Sequence, residues 1–314
     1  MSFTFGEEFE ALAQKVSNWG RWGPDDQIGT INLITPEAVR RGAACVRTGR
    51  TLSLALPLSE SEGIQVGVIP GRVNPVRAMT QLHVAMLGDP DGPCTNDDVV
   101  TMALQCATHW DGLGHVTYQQ KMYNGHAASS ITCFGAAFGG INRIRTLVTR
   151  GVLLDVARAK GVDCLEGAYA ITGDDLDAAA DLGNVTVEPG DVVLVRTGRM
   201  QHLVGEKRDV AAYWGIPSPG PSILSAEWFR DHDVAAVATD NVTFEVWPCL
   251  PDGAMLPVHV LHLVYMGMTQ GQNWQLEELS ADCADDGVYA FQLEASPQPF
   301  TGAVGSPVNP VAVK

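Results

Sequence analysis

"QCATHWDGLGHV", residues 105–116, sets a glutamine, two histidines and an aspartate along a stretch punctuated by glycines. A helix would bring Gln105 and His109 together but swing Asp111 away, and Gly112 and Gly114 disfavour a helix in any case. In extended chain, positions 105, 109, 111 and 115 share parity. A strand running into a glycine-softened turn therefore aims Gln105, His109, Asp111 and His115 at one point. An imidazole and a carboxylate two residues apart suit a borderline divalent ion such as zinc or manganese, which accepts nitrogen and oxygen ligands. The competing reading is a solvated loop whose histidines are merely hydrogen-bonded and whose aspartate closes a turn. Spacing leaves both open.

A second cluster lies far downstream in "LPVHVLHLVYMGMTQGQNWQLEEL", residues 256–279. His259 and His262 are three apart, so a helix would put them on one face, and Gln272 follows. The bland account is a core segment whose histidines find backbone partners. Asp240 and Glu245, in "ATDNVTFE", are either outer partners that orient a histidine or turn residues, and turn chemistry is put first. Arg196 in "VLVRTG" either binds an anion or pairs with a buried acid.

The surroundings suit a folded α/β protein. Of 314 residues 46% are apolar, and no low-complexity or Ser/Gly-rich linker interrupts the chain, which predicts one continuous domain over 1–314. "TLSLALPL", "GVLLDV", "DVVLVRTG" and "VAAVATDN" read as largely buried strands bounded by Gly, Pro or Asp. "FGEEFEALAQKVSNWG", "LITPEAVRRGAACV", "ITGDDLDAAADLG" and "SAEWFRDHD" read as helices, with Thr35, Thr172 and Ser225 as caps and Pro36 in a first turn. A net charge of −16 repels phosphate backbones and anionic membranes, so no nucleic acid or membrane partner is expected. The start lacks a basic segment followed by an apolar run, and a soluble cytoplasmic protein is the expectation. Seven cysteines without a CxxC pair point to reduced thiols, of which Cys106 lies beside the candidate site. No GxGxxG or P-loop pattern opens a helix, so no nucleotide cofactor is suggested.

Taken together, the segments resemble the cyclase family of metal-dependent hydrolases, which includes bacterial kynurenine formamidase and isatin hydrolase. The family signature HxGTHxDxPxHF stands here as "QCATHWDGLGHV", and the likeness extends through "NWGRWGPDDQIGTINLITPE", "YNGH", "VVLVRTGR", "VATDNVTFEVWP" and "GMTQGQNWQLEEL". The resemblance implies an α/β fold of the swivelling β/β/α type, with a central barrel-like sheet flanked by helices, assembled as a homodimer or homotetramer. By position it makes His109 and Asp111 metal ligands, His115 the acid/base histidine, His259 an additional metal-site histidine and Trp22 a pocket wall. Gln105 stands where the family has its first histidine, and Gln272 where a ligand glutamate is usual. A glutamine binds a metal only through its neutral amide oxygen, so a full two-metal site is not expected. The expectation is one divalent ion, manganese ahead of zinc, held by His109 and Asp111 with Gln105, His259 or Gln272.

The activity so implied is hydrolysis of a cyclic amide, lactone or N-formyl amide by metal-activated water, with His115 moving the proton. Trp22 and Trp110 are candidate walls for a ring-containing small molecule, with core packing as their alternative. Kynurenine formamidase proper, a catalytically silent binding relative and a lyase or true cyclase are the alternatives.

Overall fold

A computed structural model describes residues 5–251 and 253–314. In chain order its strands are β1 (Thr51–Ser53), β2 (Val76–Ala85), β3 (Cys94–Thr101), β4 (His109–Asp111), β5 (Ile131–Thr132), β6 (Gly135–Ala136), β7 (Val148–Asp155), β8 (Ala170–Ile171), β9 (Val192–Arg196), β10 (Gly220–Pro221), β11 (Ala236–Thr239), β12 (Thr269–Gln272), β13 (Ala290–Glu294), β14 (Gly305–Pro307) and β15 (Val311–Val313). Nine of them form one curled half-barrel sheet in the order β1-β15-β13-β7-β9-β11-β12-β4-β14, flanked by helices as the sequence leads one to expect. Its centre, β7-β9-β11-β12, is parallel. Those strands are covered on both faces, which explains continuous apolar runs such as Val192–Val195 in place of alternation. Antiparallel partners complete both sides of the sheet, and on one of them β4 is held between β12 and β14.

The helices follow their end signals. α1 (Glu7–Val16) carries three acids in its first turn and buries Phe9, Ala13 and Val16, one stripe at helical spacing. α2 (Pro36–Ala43) starts where Thr35 Oγ1 accepts from the Ala38 N–H. Helix Gly173–Leu182 opens with a reciprocal Thr172–Asp175 capping box. Ser225 departs from its expected role. A 3₁₀ turn over Ile223–Ser225 precedes helix Ala226–Asp231, so the uncapped N–H groups come earlier, and the Ser222 hydroxyl accepts from Leu224 instead. Ser225 donates to the Ser222 carbonyl.

Gly271 decides how β4 packs. A Cβ there would lie 2.5 Å from Trp274 Nε1, 2.8 Å from Ala238 Cβ and 3.0 Å from the Trp110 ring. The missing side chain makes room for Trp110 and Trp274, which meet edge to face with centroids 4.7 Å apart. Trp110 is fully buried and its indole N–H donates to the Ala295 carbonyl at 2.8 Å. Burying an aromatic of this size contributes about 1.5–3 kcal/mol, provided that its polar handle is satisfied.

The histidine segment is helical but irregular. Pro257–His259 open as α-helix, Val260–Met266 continue as π-helix, and Gly267 in the left-handed region ends the run. His262 points into the core, its ring edge-on to Phe229 and Phe244 at 5.3 and 5.4 Å. Among the described residues neither ring nitrogen makes a well-formed hydrogen bond, although the neighbouring Gln270 amide favours the protonated ring slightly. Burial first, and then the neighbouring His259, push this imidazole down to about 3. No helix among the described residues is long and apolar enough to cross a membrane.

Gly271→Ala is expected to lower the unfolding free energy by about 1–3 kcal/mol through overpacking and to alter the near-ultraviolet dichroism of the tryptophan pair; urea titration with both probes checks this. For His262 the folded imidazole binds its proton far more weakly than the unfolded one. Its contribution to stability is therefore complete above the ordinary histidine range near 6.5 and is lost as pH falls toward 3. His262→Leu should remove up to about 2 kcal/mol of the parent's stability loss between pH 7 and pH 5, read from urea midpoints in the presence of chelator.

Candidate functional site

Strand alternation on β4 sorts the motif. Trp110 turns to the tryptophan side, and His109 and Asp111 turn together to the other, both fully buried. Their cross-strand partners are Gln272 and Gln270 on β12, and Pro307 and Gly305 on β14. After Asp111 the chain turns at Gly112, where His115 N–H donates to the Gly112 carbonyl at 2.9 Å. That turn carries His115 back over the strand end, so its Nε2 lies 3.6 Å from Asp111 Oδ1. The His109 Nε2 lies 3.5 Å from the same oxygen.

Tautomers follow from partners. His109 Nδ1 sits 2.7 Å from the Ala107 carbonyl, which can only accept, so Nδ1 carries the proton and Nε2 presents a lone pair. His259 Nδ1 lies 2.5 Å from Glu245 Oε1, which fixes the same tautomer there. Glu245 also accepts the Val258 and His259 N–H groups. It is the orienting partner of His259, not a turn residue, and the helix N-terminus beneath it supplies the reason. Gln272 Nε2 then bridges, donating to Asp111 Oδ2 at 2.8 Å and facing His259 Nε2 at 3.2 Å. His115, His109, Asp111, Gln272 and His259 are thus brought into one chain of contacts.

One gap in that chain is informative. His109 Nε2 and Asp111 Oδ1 are both buried and both lone-pair bearing, and among the described residues neither has a hydrogen-bond donor. Two such acceptors facing each other are costly unless a cation lies between them. Two donors at about 2.1 Å from one tetrahedral ion stand about 3.4 Å apart, close to the separation found here. The pair fits a single borderline divalent ion. Among the described residues no group of three or more His, Cys, Asp or Glu side chains forms a complete metal cage. The second carboxylate oxygen of Asp111 and Nε2 of His259 are instead tied by the Gln272 amide.

Electrostatics agree with this division. Burial opposes ionisation of Asp111, but His115, His109 and His259 outweigh it and hold the carboxyl well below the usual carboxylate range. Burial is the largest influence on His115 and pushes its imidazole below the ordinary value against the pull of Asp111.

A cavity of about 310 Å³ opens beside the pair, with His115, His259 and Gln272 on one side and Arg72, Trp214 and Trp247 among its other walls. Trp110 does not line it; alternation sends that ring into the core. Trp22, half-buried with the Arg21 guanidinium 4.8 Å from its ring, is not among the lining residues either. Gln105 lies in the turn before β4, with its amide nitrogen 2.4 Å from where a Cβ on Gly305 would stand. Gly305 pairs with Asp111, so Gln105 shares the face of the motif, yet no hydrogen bond joins it to His109 or Asp111.

The remaining polar candidates are structural. Asp240 accepts from Thr197 N, Thr197 Oγ1 and Gly198 N at the strand end. Arg196 pairs with Asp155 at 2.9 Å and Glu277 at 2.8 Å. Burial pushes the Cys106 thiol up to about 11, which leaves it protonated and inert. Arg72 and Trp214 lie in segments without periodicity or motif, and sequence reading passed over both.

The chain matches the cyclase family, described as "Putative cyclase", over residues 28–246. A solved structure of a novel cyclase is 37% identical, with a TM-score of 0.84 over 96% of this chain and 99% of that one. Isatin hydrolase A from Ralstonia solanacearum has a TM-score of 0.61 at 18% identity, over 88% of this chain and 97% of that one. A predicted metal-dependent hydrolase from Bacillus stearothermophilus has a TM-score of 0.53 at 16% identity, over 84% and 97% respectively. At such identities the last two show a shared fold. No curated protein sequence is significantly similar to the chain. With the family matched over most of its length and a 37% identical cyclase structure covering nearly all of it, the chain belongs to the cyclase family.

Proposed function

We propose that the protein is a metal-dependent hydrolase that opens an amide or lactone bond in a ring-containing small molecule, with cyclic amides, lactones and N-formyl amides as the class to test. The observation that carries the reading is the orphaned pair, His109 Nε2 and Asp111 Oδ1, buried 3.5 Å apart beside a cavity. The likeness in fold to proteins described as isatin hydrolases and metal-dependent hydrolases supports it.

His109 and Asp111 would hold one divalent ion, manganese or zinc. When bound, that ion supplies polarisation of the scissile carbonyl and a lowered pKa for water beside it. The chain's own residues do the rest. His115 is about one-fifth exposed and lines the cavity, whereas His109 and Asp111 are sealed, so His115 Nε2 is the group that reaches substrate and water. It takes a proton from the attacking water and returns it to the leaving nitrogen or oxygen. Water adds across the C–N or C–O bond, giving a carboxylic acid and an amine or alcohol. Gln272 secures the other oxygen of Asp111, and Glu245 secures His259, so the carboxylate cannot rotate away from His109.

Protein purified without chelator is expected to carry about one equivalent of manganese or zinc, and both His109→Ala and Asp111→Ala to lose it, as read by elemental mass spectrometry. His115→Ala should keep the metal while turnover of a confirmed substrate falls by about 10²–10⁴. Loss of metal in His115→Ala would make His115 a ligand, and undiminished turnover would remove it from the mechanism. A parent that takes up neither metal would overturn the hydrolase reading.

A further inference from the structure

Arg72 is out of place by the standards of this chain. Each other arginine that is buried or partly buried has a partner: Arg41 and Arg150 meet Asp191, Arg196 meets Asp155 and Glu277, Arg230 meets Asp233, and Arg199 donates to three backbone carbonyls. Arg72 is partly buried as well, and among the described residues its guanidinium has neither an ion pair nor a hydrogen bond. It lines the cavity that His115 lines, and among the described residues no carboxylate shares that lining.

Taking a guanidinium from water without an anion is costly, and here burial is the main influence that weakens its hold on the proton, with Asp111 acting against it from a distance. A planar fork of donors turned into a cavity is the arrangement that recognises a carboxylate in bidentate fashion. The walls around it are apolar, Trp214, Trp247 and Ile216 among them, and accept a flat ring. Ordinary structural pairing, which explains Arg196, has no counterpart at Arg72.

We propose that Arg72 is the anion anchor of the pocket, and that the substrate is a ring-bearing amide or lactone with a carboxylate of its own, separate from the bond that is cut. This rests on the hydrolase reading for the reaction but not for the binding. Arg72 is a specificity residue: it holds the far end of the ring while the reacting carbonyl faces His115.

The test is binding without turnover. Benzamide, benzoate and the three carbamoylbenzoate isomers are titrated against the metal-loaded protein, with Trp214 and Trp247 in the pocket as fluorescent reporters and metal content recorded in parallel. The best carbamoylbenzoate should bind at least about tenfold more tightly than benzamide, the scale of a charge-assisted bidentate pair. Arg72→Gln should abolish that advantage with the affinity for benzamide unchanged, and Arg72→Lys should restore part of it. Overturning results are carbamoylbenzoates no tighter than benzamide, or an advantage that survives Arg72→Gln. A gain confined to benzoate also overturns it, because Arg72 would then hold only the acid formed at the cut bond. An intact anion preference in a protein that holds no metal would sink the hydrolase and leave the anchor standing.

Discussion

Strict alternation along three residues of β4 is the constraint on which the site depends. Between β12 and β14 the strand cannot rotate, so anchoring Trp110 in the core obliges His109 and Asp111 to present themselves on the opposite face. The anchor in turn exists because Gly271 leaves the space that two indoles fill. The orientation of His109 and Asp111 is thereby fixed by packing of the two indoles on the far side of the sheet.

Around that pair, hydrogen-bond partners assign roles that residue types alone leave open. His109 and His259 have the same chemistry, yet one faces an unpartnered carboxylate oxygen and the other receives an amide. The difference is Gln272. With two N–H donors it can link Asp111 to His259, where a carboxylate would repel Asp111 and call for a positive charge between them.

Much of this was legible in the sequence because it rests on local rules. The parity of 109 and 111, the buried runs of the parallel strands, the Thr35 and Thr172 caps and the acid-led first helix all depend on neighbours within a few residues. What failed to show there depends on distant chain. Trp110 and Trp247 look alike in sequence, and only the sheet decides that one is core and the other a wall. Glu245 reads as a turn residue until the helix that begins at Pro257 lays its N–H groups on it. Ser225 was displaced by a 3₁₀ turn that no pattern announces. Arg72 was invisible for a different reason, since the signal is the absence of a partner.

The two sides of the cavity are built from unlike materials. His115, His259 and Gln272 hang from the central sheet and the helix packed on it, whereas Val68, Ile69 and Arg72 come from chain that runs directly into the β2–β3 hairpin. That hairpin buries no residue fully, and a lone two-stranded ribbon is at best marginally stable in water. The pocket therefore joins a side fixed by the central sheet to a side whose chain continues into a ribbon with little burial of its own.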